Sequence, residues 1–222
     1  MHAILDNKRL IAFDLDGTLI DSVPDLAVGV QKALDEAGVS GPDEANVRSW
    51  VGNGARSLVE RALTWALGET PNNALSTQAY EAFMRHYGAA PFVHTRVYDG
   101  ASEALAALDA AGFELALITN KPERFIAPIL EHFGLYERFA LCIGGDTLTE
   151  KKPSAVPLLH VAKTLNAAPQ ACVMVGDSKH DIEAGRAAGF ATVALPYGYN
   201  HGEPIEASRP DLCVASLTAL ID

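Results

Sequence analysis

Cysteine is scarce in this chain: three residues in 222, at Cys142, Cys172 and Cys213, with no CxxC pair among them. An odd number without paired spacing excludes a disulfide framework. Each lies in or beside a short apolar run, so all three are expected to be reduced, buried small hydrophobes. Basic residues are also in deficit, 17 against 28 acidic ones, for a net charge of -11. Such a chain repels nucleic acid and anionic membrane surfaces, and neither is expected as a partner. It also repels anionic substrates unless a local positive feature overrules the global field. No apolar run approaches the roughly 20 residues of a membrane-crossing helix. Asp6, Lys8 and Arg9 interrupt the start before the apolar core of a signal peptide could form, so the expected location is the cytoplasm. The seven histidines are scattered without ligand spacing, and no zinc site is expected.

What is present is an ordinary globular composition, 49% hydrophobic and 20% charged. The length suits one large domain, or one domain with a smaller inserted partner. Residues 10–13 are a short apolar run ending in Asp14, which predicts a buried strand. Similar runs recur at 115–118, 141–143, 172–175 and 192–195. Helical patterns at 101–111, 124–133, 156–165 and 182–188 separate them, with Gly112, Gly134 and Gly189 as C-terminal stops. Strand and helix alternating in this way predicts βαβ units and a parallel sheet.

The interval between the first and second strands is too long for a connecting loop. Its patterns are helical, at 25–37, 55–67 and 77–87, with breaks at 38–42, 52–54 and 68–73. The expectation is an α/β core over residues 1–20 and 95–222, with an inserted helical domain over 21–94. Residues 93–100 would be the return linker. Trp50 and Trp65 are expected to pack inside the insertion.

Four segments carry chemistry. In Phe13-Asp14-Leu15-Asp16-Gly17-Thr18 an apolar strand ends in carboxylates two residues apart. Groups at that place sit where open α/β sheets bind ligands. Two close carboxylates repel, so one is protonated or both share a cation; the same letters also suit a strand end followed by a β-turn. In Val175-Gly176-Asp177-Ser178-Lys179-His180-Asp181 a second strand ends in a carboxylate, with another four residues on. Helix capping by Asp177 or Ser178 explains part of that pattern and can coexist with metal binding. His180 reads as an exposed loop histidine. Ile118-Thr119-Asn120-Lys121 ends a third strand in a hydroxyl and an amide, or in a turn before Pro122. Lys151-Lys152-Pro153 follows Gly144-Gly145-Asp146. Each segment comes just after an expected strand, so all four should converge on one edge of the sheet. Carboxylates, a hydroxyl, an amide and an ammonium together suit phosphoryl transfer. Carboxylate oxygens hold Mg²⁺, and the cation lets an anionic nucleophile approach a phosphate.

The order and spacing of these segments resemble the haloacid dehalogenase superfamily over nearly the whole chain. The resemblance implies a doubly wound, Rossmann-like parallel sheet with an inserted all-helical cap. It makes Asp14 the nucleophile and Asp16 the general acid, then base. It assigns Mg²⁺ to the Asp14 carboxylate, the Asp16 main-chain carbonyl and Asp177, with Asp181 in a second layer or bound through water. Thr119 and the NH of Asn120 would hold phosphoryl oxygens, and Lys152 would stabilise the phosphoaspartate. Relatives often read Lys-Pro-x-Pro where this chain has Lys152-Pro153-Ser154-Ala155, and the neighbouring Lys151 leaves open which lysine points inward.

Asp21-Ser22-Val23-Pro24-Asp25-Leu26, Trp50-Val51-Gly52-Asn53-Gly54-Ala55, Thr119-Asn120-Lys121-Pro122 and Tyr197-Gly198-Tyr199-Asn200-His201-Gly202 narrow the resemblance. They are similar to the bacterial branch that hydrolyses 2-phosphoglycolate. That implies a small phosphate ester as partner and a monomer or homodimer. Gly54, at the start of a helix, and Arg56 are candidates for the substrate carboxylate; Arg56 equally suits a solvated helix face. The rivals are another small-molecule phosphatase, a sugar phosphomutase of the same superfamily, and a non-catalytic phospho-ligand binding protein.

Overall fold

The computed structural model describes residues 1–222. The chain enters through β1 (Leu10–Phe13) and a two-residue strand, β2 (Ile20–Asp21). Four helices follow, α1 (Val23–Glu36), α2 (Glu44–Trp50), α3 (Ala55–Leu67) and α4 (Asn73–Ala89), before the chain returns through β3 (Arg96–Val97). The remainder alternates: α5 (Ala101–Ala110), β4 (Glu114–Ile118), α6 (Ile126–His132), β5 (Leu141–Ile143), α7 (Val156–Thr164), β6 (Cys172–Gly176), α8 (Lys179–Ala188), β7 (Ala191–Ala194) and β8 (Leu212–Cys213).

Six strands form one sheet in the order β5-β4-β1-β6-β7-β8. All its pairings are parallel, as the βαβ alternation predicts. The chain runs outward from β1 to β5, then crosses back to β6 on the other side of β1. This reversal puts the ligand crevice of a doubly wound sheet at the carboxyl end of β1. The strands are buried on both faces. Ile11, Phe13, Leu115, Leu117, Val173 and Val175 belong to one apolar cluster, and Leu10, Ala12, Ala116, Ile118, Cys172 and Met174 to the other. The period of two explains why these strands read as continuous apolar runs.

The first cluster continues without a break into the helices between β2 and β3, through Val30, Leu34, Val47, Leu58, Leu63, Phe83 and Tyr87. There α1 packs chiefly on α4. Buried Asp25, in the first turn of α1, accepts hydrogen bonds from the NH groups of His94 and Thr95 and from the Thr95 hydroxyl. One carboxylate thus ties the outgoing chain to the returning one. No helix is long and apolar enough to cross a membrane.

Several expectations need correction. The expected return linker contains β3, which pairs antiparallel with β2; strands of two residues carry no readable period. Helix α2 went unread because its seven residues bury only Val47; an Asp43 cap starts it, accepting from the NH of Asn46. Strand β8 is equally short and lies at the sheet edge, so Cys213 is exposed rather than buried, while Cys142 is half-buried. Trp65 is 49% exposed, its ring tilted against that of Trp50 with centroids 6.5 Å apart. Trp50 is partly buried against the apolar cluster, while Trp65 lies on the outside of the helices.

Candidate active site

Three strand ends and one loop converge beyond the carboxyl end of β1. The sheet ladder runs one residue past β1, with the Asp14 NH donating to the Val175 carbonyl at 3.0 Å. That bond carries the buried Asp14 carboxylate to the mouth of the crevice. Asp177 follows directly on the last residue of β6. Its Oδ1 accepts from the Thr18 hydroxyl at 2.7 Å and its Oδ2 from the NH of Tyr199 at 2.5 Å. Gly17, at φ +91°, lies so close that a Cβ there would enter the Asp177 carboxylate, and a Cβ at Gly198 would do the same from the other side. The missing side chains are what let two backbone segments close on this carboxylate.

The loop after β5 settles which lysine faces inward. Lys152 is 2% exposed, with Nζ 2.9 Å from Asp14 Oδ1, 2.6 Å from Asp181 Oδ1 and 2.5 Å from the Ile118 carbonyl. The Ile118 and Asp181 contacts are hydrogen bonds; the Asp14 contact is an ion pair that leaves buried Asp14 Oδ1 without a hydrogen-bond donor. Lys151 is exposed and donates to the Asn53 carbonyl at 2.7 Å. Asp181 lies in the first turn of α8, where its Oδ2 accepts from the NH and hydroxyl of Ser178. Capping therefore coexists with a place in the site. Thr119 and Asn120 are buried at the end of β4, and the Asn120 side-chain NH₂ donates to the carbonyls of Gly52 and Lys152.

Asp14, Asp177 and Asp181 present carboxylate oxygens all within 4.8 Å of one another. Burial pushes the Asp14 carboxyl up to about 6; Lys152 opposes the rise and Asp181 adds to it. Burial, then the charges of Asp181 and Asp14, hold Asp177 well above the ordinary carboxylate range. Asp16 points elsewhere: its Oδ1 accepts from the Ser22 hydroxyl at 2.6 Å and from Lys121 Nζ at 2.8 Å. The site thus sets four carboxylates against two ammonium groups, Lys152 and Lys121. With all four ionised the site would carry an uncompensated charge near two units, and hard oxygen donors of that kind fit a divalent cation such as Mg²⁺.

Above Asp14 lies a cavity of about 40 Å³, lined by Asp14, Asp16, Thr119, Asn120 and Lys121 on one side and by Leu26, Gly52, Gly54, Leu58 and Phe83 on the other. Gly54 stands at the head of α3 and on the cavity wall. Arg56 does not line the cavity. It is exposed, and its guanidinium lies 4.2 Å from the Tyr80 ring centroid on α4, because the second residue of α3 faces away from the sheet. His180 is not in an exposed loop: it sits in the first turn of α8, half-buried, with Nε2 2.7 Å from the Asn53 amide and its ring against His201. The loop ahead of α3 packs over it.

The site residues not foreseen are Lys121, Thr18, Ser22, Tyr87 and Tyr199. Tyr199 donates to the Asp21 carboxylate and accepts from the NH of Ser22. Lys121, Thr18, Ser22 and Tyr199 all stand inside motifs already singled out. Only Tyr87, on α4, has no local signal.

A strand-end nucleophile candidate, a buried lysine, an acidic cation site and a doubly wound sheet define a phosphoryl-transfer type of site. The chain belongs to the haloacid dehalogenase-like hydrolases, whose family pattern its residues 8–189 match. It is 44% identical to the phosphoglycolate phosphatase of Colwellia psychrerythraea over 98% of this chain and 97% of that one. It is 46% identical to that of Vibrio vulnificus over 96% and 95%. Among solved structures, a predicted phosphoglycolate phosphatase from Haemophilus somnus superposes with a TM-score of 0.93 at 37% identity, covering 97% of each chain. CbbY from Rhodobacter sphaeroides, in complex with phosphate, shares the fold at a TM-score of 0.81 and 21% identity, covering 96% of each chain.

Proposed function

We propose that this chain is a cytoplasmic, Mg²⁺-dependent phosphatase that hydrolyses 2-phosphoglycolate to glycolate and phosphate through a phosphoaspartate at Asp14. The observation that carries it is the buried Asp14 carboxylate at the end of β1, 2.9 Å from Lys152 Nζ. It stands in a chain 44% identical, over nearly its whole length, to a protein named for that activity. The carboxylates of Asp14 and Asp177 and the main-chain carbonyl of Asp16 would hold Mg²⁺, with Asp181 behind them or reaching it through water, and the cation would supply positive charge to offset the phosphoryl oxygens.

An Asp14 oxygen attacks phosphorus while the ester P–O bond breaks, and Asp16 gives its proton to the departing glycolate oxygen. Asp16 then takes a proton from water as the water oxygen attacks the phosphoaspartate, releasing phosphate and restoring Asp14. Ser22 and Lys121 hold Asp16 in position for both transfers. The hydroxyl of Thr119 and the NH of Asn120 hold phosphoryl oxygens, and Lys152 offsets charge on Asp14. Residues 21–94 act as a cap that excludes water during transfer, with Gly54 on the wall that faces the rest of the ester.

The cavity sets Asp16, Thr119 and Lys121 against Leu26, Leu58 and Phe83, a lining that suits a small charged ester. A panel of phosphorylated metabolites assayed with Mg²⁺ tests this. The highest kcat/KM should fall on 2-phosphoglycolate, with stoichiometric phosphate release. Phosphate retained on a hexose would turn the assignment to a mutase.

A further inference from the structure

A phosphate ester that also carries a carboxylate needs two cationic contacts, and the residue first suggested for the second one lies outside the cavity. Arg56 is spent on the Tyr80 face. Lys151 is exposed and bonded to the Asn53 carbonyl, and Arg61 is bonded to the Trp50 carbonyl and the Asn53 side chain. Lys152 is bonded to Asp181 and the Ile118 carbonyl, is paired with Asp14, and does not line the cavity. The only cationic side chain on the cavity wall is that of Lys121, which is 4% exposed.

Its surroundings are unusual for a charge. The ammonium lies 2.8 and 3.1 Å from the two Asp16 oxygens and 4.8 Å from the centroid of Tyr87, a ring supplied by α4. Leu26, Leu58, Phe83 and Phe125 complete the wall. A buried ammonium held by one carboxylate and an aromatic face keeps donor capacity on its open side. The low-dielectric walls strengthen its pull on a second anion. It is also anchored two residues from Thr119, so it is fixed relative to the place where phosphoryl oxygens are bound.

We propose that Lys121 is the specificity residue of this site: its ammonium binds the carboxylate of the ester and is shared between that group and Asp16. The assignment rests on the proposed function. It places acid recognition on the core domain and leaves the insertion to supply the Tyr87 face and the apolar walls.

The test is steady-state kinetics of the Mg²⁺-loaded enzyme and of Lys121→Met, with 2-phosphoglycolate and with ethyl phosphate. Both esters should lose a common factor, because Asp16 loses a partner. Phosphoglycolate should lose a further 10- to 100-fold, roughly the worth of a charged hydrogen bond, and chiefly in KM. Lys121→Arg should recover part of that extra factor and Lys121→Met none. Equal losses on both esters in a wild-type enzyme that prefers phosphoglycolate would overturn the role of Lys121 and leave the proposed function standing. A wild-type enzyme indifferent to the carboxylate would overturn both. Should Lys121→Met fold poorly, Lys121→Gln, which still donates to Asp16, carries the same comparison.

Discussion

The strand ends of the core and the loop ahead of α3 border the same cavity, but they hold their residues by different means. At the strand ends, Asp14, Asp177, Asp181 and Lys152 are buried and fixed by one another, by Thr18 and by main-chain groups. Across the cavity, Gly52, Asn53 and Gly54 are only half-buried. The core reaches them through single bonds from Asn120, Lys151 and His180. Each of these lies within one residue of a group that faces the chemistry: Thr119, Lys152 or Asp181. In the proposed mechanism the rigid side performs the reaction, and the looser side would part from it for substrate entry.

The sharpest break in this comparison is Asp14→Asn. On the rigid side one atom decides the reaction, and kcat should fall by roughly 10⁴-fold or more. The metal-free variant should unfold at the same temperature as the parent or higher, because burial already penalises the Asp14 charge. Turnover surviving in Asp14→Asn would remove it as nucleophile.

Metal binding sharpens the same contrast through stability. Asp14, at about 6, and Asp177 both hold their protons more tightly than an ordinary carboxyl at 3.8. A group whose pKa is raised by folding contributes stability fully below its unfolded pKa and loses it as pH rises through the folded value. For Asp14 that window runs from 3.8 to about 6. Above it the metal-free site carries uncompensated charge, and a divalent cation relieves that charge by binding the ionised carboxylates. Mg²⁺ at about 100 times its dissociation constant should raise Tm by roughly 5–10 °C near pH 7.5 and by clearly less near pH 5. Differential scanning calorimetry measures both. An equal shift at the two pH values would place the cation elsewhere.

How much of each side was legible in the sequence follows from the same contrast. Five strands announced themselves because both faces are buried, which makes apolar runs, and the chemistry stood immediately after them. Asp14, Asp177 and Thr119 could be named because parallel strands deliver their ends to one edge. Lys151 and Lys152 could not be told apart until the loop was folded, since nothing local distinguishes two adjacent lysines. The insertion was legible as helices but not as a surface. Arg56 and Gly54 stand two residues apart, and the turn of α3 sends one to the cavity and the other to Tyr80. His180 looked solvated because its cover comes from Asn53, far away in sequence. Tyr87 meets Lys121 only through the packing of α4 on the core.

The smallest expected effect tests whether the looser side matters at all. Asn53 is the hub of that contact: its NH₂ meets His180 Nε2 at 2.7 Å, its Oδ1 accepts from Arg61 at 2.7 Å, and its carbonyl accepts from Lys151. Asn53→Ala removes the two side-chain bonds and keeps the main-chain one. It also leaves the nearby carboxylates, Lys152 and Lys121 untouched. If the loop only closes over the bound ester, KM should rise by roughly 3- to 10-fold, about one neutral hydrogen bond, while kcat and Tm change little. A fall in kcat comparable to that of Asp14→Asn would mean that the loop takes part in the reaction itself, and the division between a reacting side and a closing side would fail.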